Sequence, residues 1–189
     1  CEGNWENGPG LPFFDYVEQS FPDMPFLAED LGMLTKGVRK LRQDAGLPGM
    51  AVLQFAFDGN PDNSYLPHNL TPDLVTYTGT HDNDTSMGWY KCASEEVQRN
   101  FRTYLGSDGS SPSWDMIKAA FQSVSQLCIS PMQDLLSLGS EARLNKPGEP
   151  QGNWGWRMTR EQLDEACVSS SSYLLELGRA TGRINHLKI

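Results

Sequence analysis

The sequence predicts an α/β protein whose strands run parallel and are linked by helices. Three observations predict it. Short apolar, β-branched runs alternate with amphipathic patterns of helical period; each run is apolar nearly throughout, as in strands covered on both faces; and each is followed by a loop dense in polar and acidic residues. With 189 residues, 38% hydrophobic and 21% charged, the chain can bury one sizeable core, as a single domain or as part of a larger one.

The first apolar segment runs from Met24 to Ala28 and ends in the turn Glu29-Asp30-Leu31-Gly32. A helix should follow, with Thr35 as N-cap, Val38 and Leu41 on one face, and Gly46 as its stop. Lys36, Arg39, Lys40 and Arg42 read as its wet face. A second strand is expected over Ala51 to Phe57, followed by a long polar loop broken by Pro61, Asn63, Pro67 and Asn69.

Leu74 to Thr78 is the third strand, ending in Gly79-Thr80-His81-Asp82-Asn83-Asp84. After Ser94, Val97, Phe101, Tyr104 and Leu105 share a helical face that Gly106 closes. Ser111-Pro112 caps another helix, with Ile117, Ala120, Phe121 and Val124 as its stripe. The fourth strand runs from Leu127 to Met132, and a polar loop continues from Gln133-Asp134 to Trp156. The capping box Thr159 to Gln162 starts a last helix that should bury Leu163, Ala166, Cys167, Leu174 and Leu177. Four such units are too few to close an eight-stranded barrel of ~250 residues. The pattern therefore fits a small open sheet or half of a barrel.

Composition narrows the function. A formal charge of -9 opposes a phosphate backbone, so no nucleic-acid partner is expected. No run reaches the ~18 to 20 apolar residues of a membrane span, and no membrane partner is expected. The chain starts at Cys1 without a basic-then-apolar leader, which reads as a cut terminus. Cys1, Cys92, Cys128 and Cys167 form no CxxC pair and are expected to be reduced thiols.

Metal and nucleotide chemistry find little support. Asp58-Gly59-Asn60-Pro61-Asp62 imitates the start of a calcium loop, but Asn63 and Asn69 stand where Gly and Glu are needed. His68, His81 and His186 lack metal-ligand spacing, and no GxxxxGK, GxGxxG or GxSxG occurs. No metal or cofactor is expected. Two glycosylation-like triplets, at Asn69 and Asn83, carry no information by themselves.

In parallel sheets and barrels, function gathers just past the strand ends. Glu29-Asp30 suits a helix-entry cap as well as an acid/base pair. His81-Asp82-Asn83-Asp84 suits a self-bonded turn as well as a catalytic cluster. Acids on separate strand ends that face one cavity would suit glycosyl chemistry. Trp154 and Trp156, in the loop Gln151 to Arg157, could stack on sugar rings or anchor a core.

Taken together, these blocks resemble a known family. Phe26-Leu27-Ala28-Glu29-Asp30-Leu31-Gly32, Leu47 to Phe57, Tyr77 to Thr85 with Gly88-Trp89, Gln133 to Leu136 and Gly152 to Arg157 are similar, in order, to the blocks of the 4-α-glucanotransferases, the amylomaltases or disproportionating enzymes. The resemblance implies a (β/α)8 TIM barrel of which residues 1 to 189 supply the C-terminal half, strands five to eight, with the N-terminal half absent. It implies Glu29 as general acid/base and Asp82 as transition-state stabiliser. His81 would bind sugar hydroxyls, and Phe55, Asn83 and Asn153 would line subsites.

The family's nucleophile is an aspartate in an Arg-x-Asp block, and none of Asp15, Glu18 or Asp23 sits in one. The implied reaction transfers α-1,4-glucan segments to glucose or glucan acceptors by a retaining double displacement, in a bacterial cytoplasm or a plastid. The rival readings are a hydrolase of the α-amylase type and a non-catalytic glucan-binding fragment without the nucleophile.

Overall fold

A computed structural model describes residues 3–4, 6–22, 26–32 and 34–184. Three short parallel strands form one sheet in the order β1-β2-β3: β1 (Gly49–Val52), β2 (Leu74–Tyr77) and β3 (Leu127–Ile129). Gly49 to Val52 lie opposite Leu74 to Tyr77, and Val75 to Tyr77 lie opposite Leu127 to Ile129. The helices are α1 (Leu11–Ser20), α2 (Lys36–Asp44), α3 (Ser86–Cys92), α4 (Glu95–Leu105), α5 (Pro112–Gln122), α6 (Met132–Leu135), α7 (Arg160–Ser169) and α8 (Ser171–Ala180).

The expected caps are present where a short side chain meets an orphan amide. Thr35 accepts from Val38 N, Ser94 accepts from Val97 N, and Gly106 ends α4 in the left-handed region at φ 63°. Thr159 and Gln162 form the reciprocal capping box of α7.

The strands are shorter than the apolar runs suggested. Of the segment Met24 to Ala28, residues 24 and 25 lie outside the described residues, and 26–28 form no strand; Ala28 N nevertheless donates to Pro48 O at 2.9 Å. The second run leaves β1 at Val52 and turns through a 3-10 segment, Leu53–Phe55. That turn brings Gln54 Nε2 to the Asp84 carbonyl at 2.8 Å, a bond an extended chain would miss. Pro131, which has no N–H for a ladder, ends the fourth run and serves as N-cap of α6.

The last helical pattern is two helices, divided at Ser170. Ser169 Oγ and Ser171 Oγ donate to the Glu165 and Cys167 carbonyls, the back-bonding that bends serine-rich helices. Ala166 and Leu177 are buried as expected, Leu163 and Leu174 are half-buried, and Cys167 is exposed. Helices α1 and α3 carry no clear periodic signal. Cys92, Cys128 and Cys167 are free thiols, and burial raises the Cys128 pKa.

The core lies between the sheet and α3, α4 and α5. Phe101, wholly buried, meets Phe57 and Tyr90 at centroid distances of 5.0 Å each and Trp89 at 5.8 Å. On the far side of the sheet the edge strand β3 leaves Leu127 52% exposed, with Ile129 and Val124 exposed beside it.

One carboxylate joins three elements. Asp134, in α6 and 1% exposed, accepts from Thr78 Oγ1 just past β2 at 2.5 Å, and from Ser86 N and Oγ at the start of α3 at 2.7 and 2.8 Å. Burial raises its pKa above 3.8; those hydrogen bonds oppose the shift, and the Asp84 charge adds to it. The folded state therefore holds this proton more tightly than the unfolded chain does. The group's contribution to stability is greatest below pH 3.8 and declines as pH rises through the raised folded value.

Asp134→Ala would leave three buried donors unpaired and is expected to cost about 2–4 kcal/mol at pH 7. Asp134→Asn should cost less and remove the decline with pH. Urea unfolding of the full-length polypeptide from pH 4 upward checks both, and an alanine variant as stable as wild type would refute the account.

Candidate active site

A cleft of about 900 Å³ opens at the C-terminal ends of the strands. It is lined by Glu29, Phe55, His81, Asp82 and Asn83, of which Phe55 follows β1, His81, Asp82 and Asn83 follow β2, and Glu29 stands in the segment before α2. These predicted residues thus meet in one place. The size falls within the usual range for small-molecule sites.

The loop that carries Glu29 is fixed by the next residue. Asp30 Oδ1 accepts from Met50 N at 2.7 Å, and Asp30 Oδ2 lies 3.1 Å from Arg42 Nε. Gly49 is glycine for this reason, since a Cβ there would strike the Asp30 carboxylate. Arg42 is not part of a wet face: its side chain is 10% exposed and also reaches the Leu47 carbonyl at 2.9 Å and Asp73 Oδ2 at 3.0 Å. A hydrogen bond from Thr71, then contacts from Arg42, hold Asp73 below the usual carboxylate range. Glu29 itself is exposed, and among the described residues its carboxylate has no hydrogen-bond or ion-pair partner.

The turn after β2 is both self-bonded and open to the cleft. Asn83 Oδ1 accepts from Thr80 N at 2.9 Å and Thr80 Oγ1 at 2.8 Å, closing the turn on itself. Its amide nitrogen, by contrast, has no partner among the described residues. Thr85 caps α3 through Gly88 N at 3.0 Å, and Asp84 is held by Ser140 Oγ at 2.7 Å. Gly79 has no room for a side chain, because a Cβ there would lie 2.6 Å from Gln54 Nε2. His81 Nε2 lies 3.2 Å from Asp82 Oδ1, and both side chains are about half exposed.

Aromatic groups form the remaining wall. Phe55, 43% exposed, meets Tyr65 edge-on at 5.5 Å, and Asn63 Nδ2 holds the Phe55 carbonyl at 2.8 Å. Burial raises the phenol pKa of Tyr65 and of Tyr77, so both are neutral donors at the cleft wall. Trp154 packs against His81 with ring centroids 5.1 Å apart and the planes tilted by 35°, and is 53% exposed, so it is no core anchor.

Asn153 does not line this cleft. Its Oδ1 accepts from Lys146 N at 2.9 Å and its Nδ2 donates to Glu149 O at 2.8 Å, closing the loop that presents Trp154 at φ 61°. Sequence reading missed Arg42 and Asn145 as contributors. The Gln133-Asp134 block was visible, but not the contacts of its carboxylate.

No group of three or more metal-ligating side chains occurs among the described residues, and no helix there is long and apolar enough to cross a membrane. Asp58 and Asn60, the calcium-loop imitation, accept from the backbone N–H groups of Asn60 and Asp62.

The family model described as 4-alpha-glucanotransferase matches residues 1–163. The chloroplastic/amyloplastic 4-alpha-glucanotransferase of Arabidopsis thaliana is 45% identical over 183 residues, which is 96% of this chain and 32% of that protein. The 4-alpha-glucanotransferase of Thermus thermophilus is 45% identical over 170 residues, 86% of this chain and 34% of that protein. Amylomaltase from Streptococcus agalactiae in complex with acarbose superposes with a TM-score of 0.87 at 31% identity, over 97% of this chain and 37% of that one. The chain thus spans about a third of the length of these relatives.

Arg42→Ala would strand the half-buried Asp30 carboxylate. A loss of about 1–3 kcal/mol is expected, with the change concentrated at the Glu29 loop. Hydrogen exchange should show faster exchange at Met50 N in the variant; unchanged exchange there would rule this out.

Proposed function

The chain belongs to the 4-alpha-glucanotransferase family, and on that premise we propose that it forms the C-terminal part, strands five to eight, of a (β/α)8 catalytic barrel that moves α-1,4-glucan segments between glucans. What carries the reading is that Glu29 and the His81-Asp82-Asn83 turn line one cleft at the ends of parallel strands. The exposed edge of β3 and the coverage of a third of each relative support a barrel completed by further polypeptide. Relatives come from bacteria and from plastids, so a bacterial cytoplasm or a plastid is the proposed setting.

The mechanism assigns Glu29 as general acid. It protonates the glycosidic oxygen while an aspartate supplied by the rest of the polypeptide attacks the anomeric carbon, a retaining displacement that needs the two carboxyls about 5–5.5 Å apart. Asp82 and His81 hold sugar hydroxyls and favour the cationic transition state. Glu29, now a carboxylate, then takes the proton from the 4-hydroxyl of the acceptor glucan as that oxygen displaces the enzyme. An acceptor seated against Phe55 excludes water and favours transfer over hydrolysis. Asn83 offers to the sugar its amide nitrogen, which has no partner among the described residues, and Asn153 acts by shaping its loop. No metal or organic cofactor has a part in these steps.

Full-length protein given maltotriose should release glucose and longer glucans with no net rise in reducing ends. A rise in reducing ends would instead favour a hydrolase. Glu29→Gln and Asp82→Asn should each lower kcat by about 10³-fold or more, and a variant retaining a tenth of the activity would remove that residue from its role. Acarbose, present in the Streptococcus agalactiae amylomaltase structure, is the probe for binding in the cleft.

A further inference from the structure

The segment from Arg143 to Trp154 grips the His81-Asp82 dipeptide from about sixty residues away. Arg143 donates to the Asp82 carbonyl at 2.7 Å, Asn145 N donates to the His81 carbonyl at 3.1 Å, and Trp154 packs against the His81 ring. The side-chain contact is the informative one: Asn145 Nδ2 donates to Asp82 Oδ1 at 2.6 Å. A carboxylate only accepts, so the amide must present its nitrogen there.

His81 Nε2 approaches the same oxygen, at 3.2 Å. Among the described residues, Asp82 Oδ2 has no partner. The Asn145 amide therefore fixes the carboxylate through one oxygen, with the His81 ring close to the same atom, and leaves the other available. An exposed aspartate without such a brace would rotate about χ1 and χ2, and a catalytic acceptor works best when it is held to within ~0.5 Å of its productive geometry.

The loop is itself braced, by Asn153 on Lys146 and Glu149, by Trp154 N on Leu144 O at 2.7 Å, and by Arg157 on the Trp154 carbonyl at 2.9 Å. Asn145 is half-buried, and the cleft is lined by Asp82, which Asn145 reaches through its bond to the carboxylate.

We propose that Asn145 is a positioning residue for Asp82, holding Oδ1 so that Oδ2 faces the sugar hydroxyls; this rests on the catalytic reading of Asp82. The test is a double-mutant cycle in the full-length polypeptide, followed by glucose release from maltotriose. Asn145→Ala should lower kcat about 10- to 100-fold and change KM less than about threefold. Asn145→Asp keeps the shape but cannot donate and sets a second carboxylate beside the first, so it should lose at least as much.

In an Asp82→Ala background, adding Asn145→Ala should change kcat less than about twofold, because the interaction is already gone. Lys146→Ala, which breaks only the ion pair with Glu149 in the same loop, should leave kcat within about twofold. A full additional loss in the Asp82→Ala background would assign Asn145 a merely structural role and overturn the proposal. So would an Asn145→Ala enzyme of wild-type kcat when Asp82→Ala is inactive. An Asp82→Ala enzyme of wild-type activity would overturn the catalytic reading itself, and the proposal with it.

Discussion

The buried carboxylate of Asp134 is the constraint on which the rest of the site depends. It reaches the end of β2 through Thr78 and the start of α3 through Ser86, while standing in the helix that follows β3. Two strand ends and a helix start are thereby fixed to one another, and the turn from Gly79 to Asp84 hangs between two of its bonds. A carboxylate with so little solvent would be costly if unpaired. Here the donors offset that cost only in part, as the direction of its pKa shift shows. Stability is thus given up locally to hold the turn in one place, which is the exchange expected where a protein must position reactive groups.

Much of this was legible in the chain. Caps at Thr35, Ser94 and Thr159 and the stop at Gly106 follow from local hydrogen-bond chemistry, which a few neighbouring residues decide. The meeting of Phe55 and His81-Asp82-Asn83 in one cleft was likewise foreseeable, because parallel strands deliver their following loops to the same end of the sheet, and Asp30 ties Glu29 to that end through Met50 N.

The missed features share a different origin. Arg42 belongs by its neighbours to a run of basic residues, and only Asp30 and Asp73, twelve and thirty-one positions away, make it a buried tie. Asn145 sits in a loop without periodicity, and its partner lies sixty-three residues earlier. Strand lengths were overestimated because an apolar run reports burial, not extension: Leu53 and Gln54 are buried in a 3-10 turn just as they would be in a strand. The break at Ser170 depends on serine hydroxyls that compete for helix carbonyls, a contest that hydrophobic spacing does not register.

The paired acids of the strand-end loops suggest why such blocks carry two carboxylates in close succession. In Glu29-Asp30 the second acid is consumed by Met50 N and Arg42, and the first is left without a partner among the described residues. In Asp82-Asn83-Asp84 the last acid is consumed by Thr85 N and Ser140, and the first keeps one oxygen without a partner among the described residues. One carboxylate of each pair fixes its loop to the scaffold, so that its neighbour can face the cleft with part of its hydrogen-bonding capacity unused. Each bond that immobilises a carboxylate uses acceptor capacity it would otherwise offer to a hydroxyl or a proton, so a neighbouring acid that ties the loop leaves more of that capacity free.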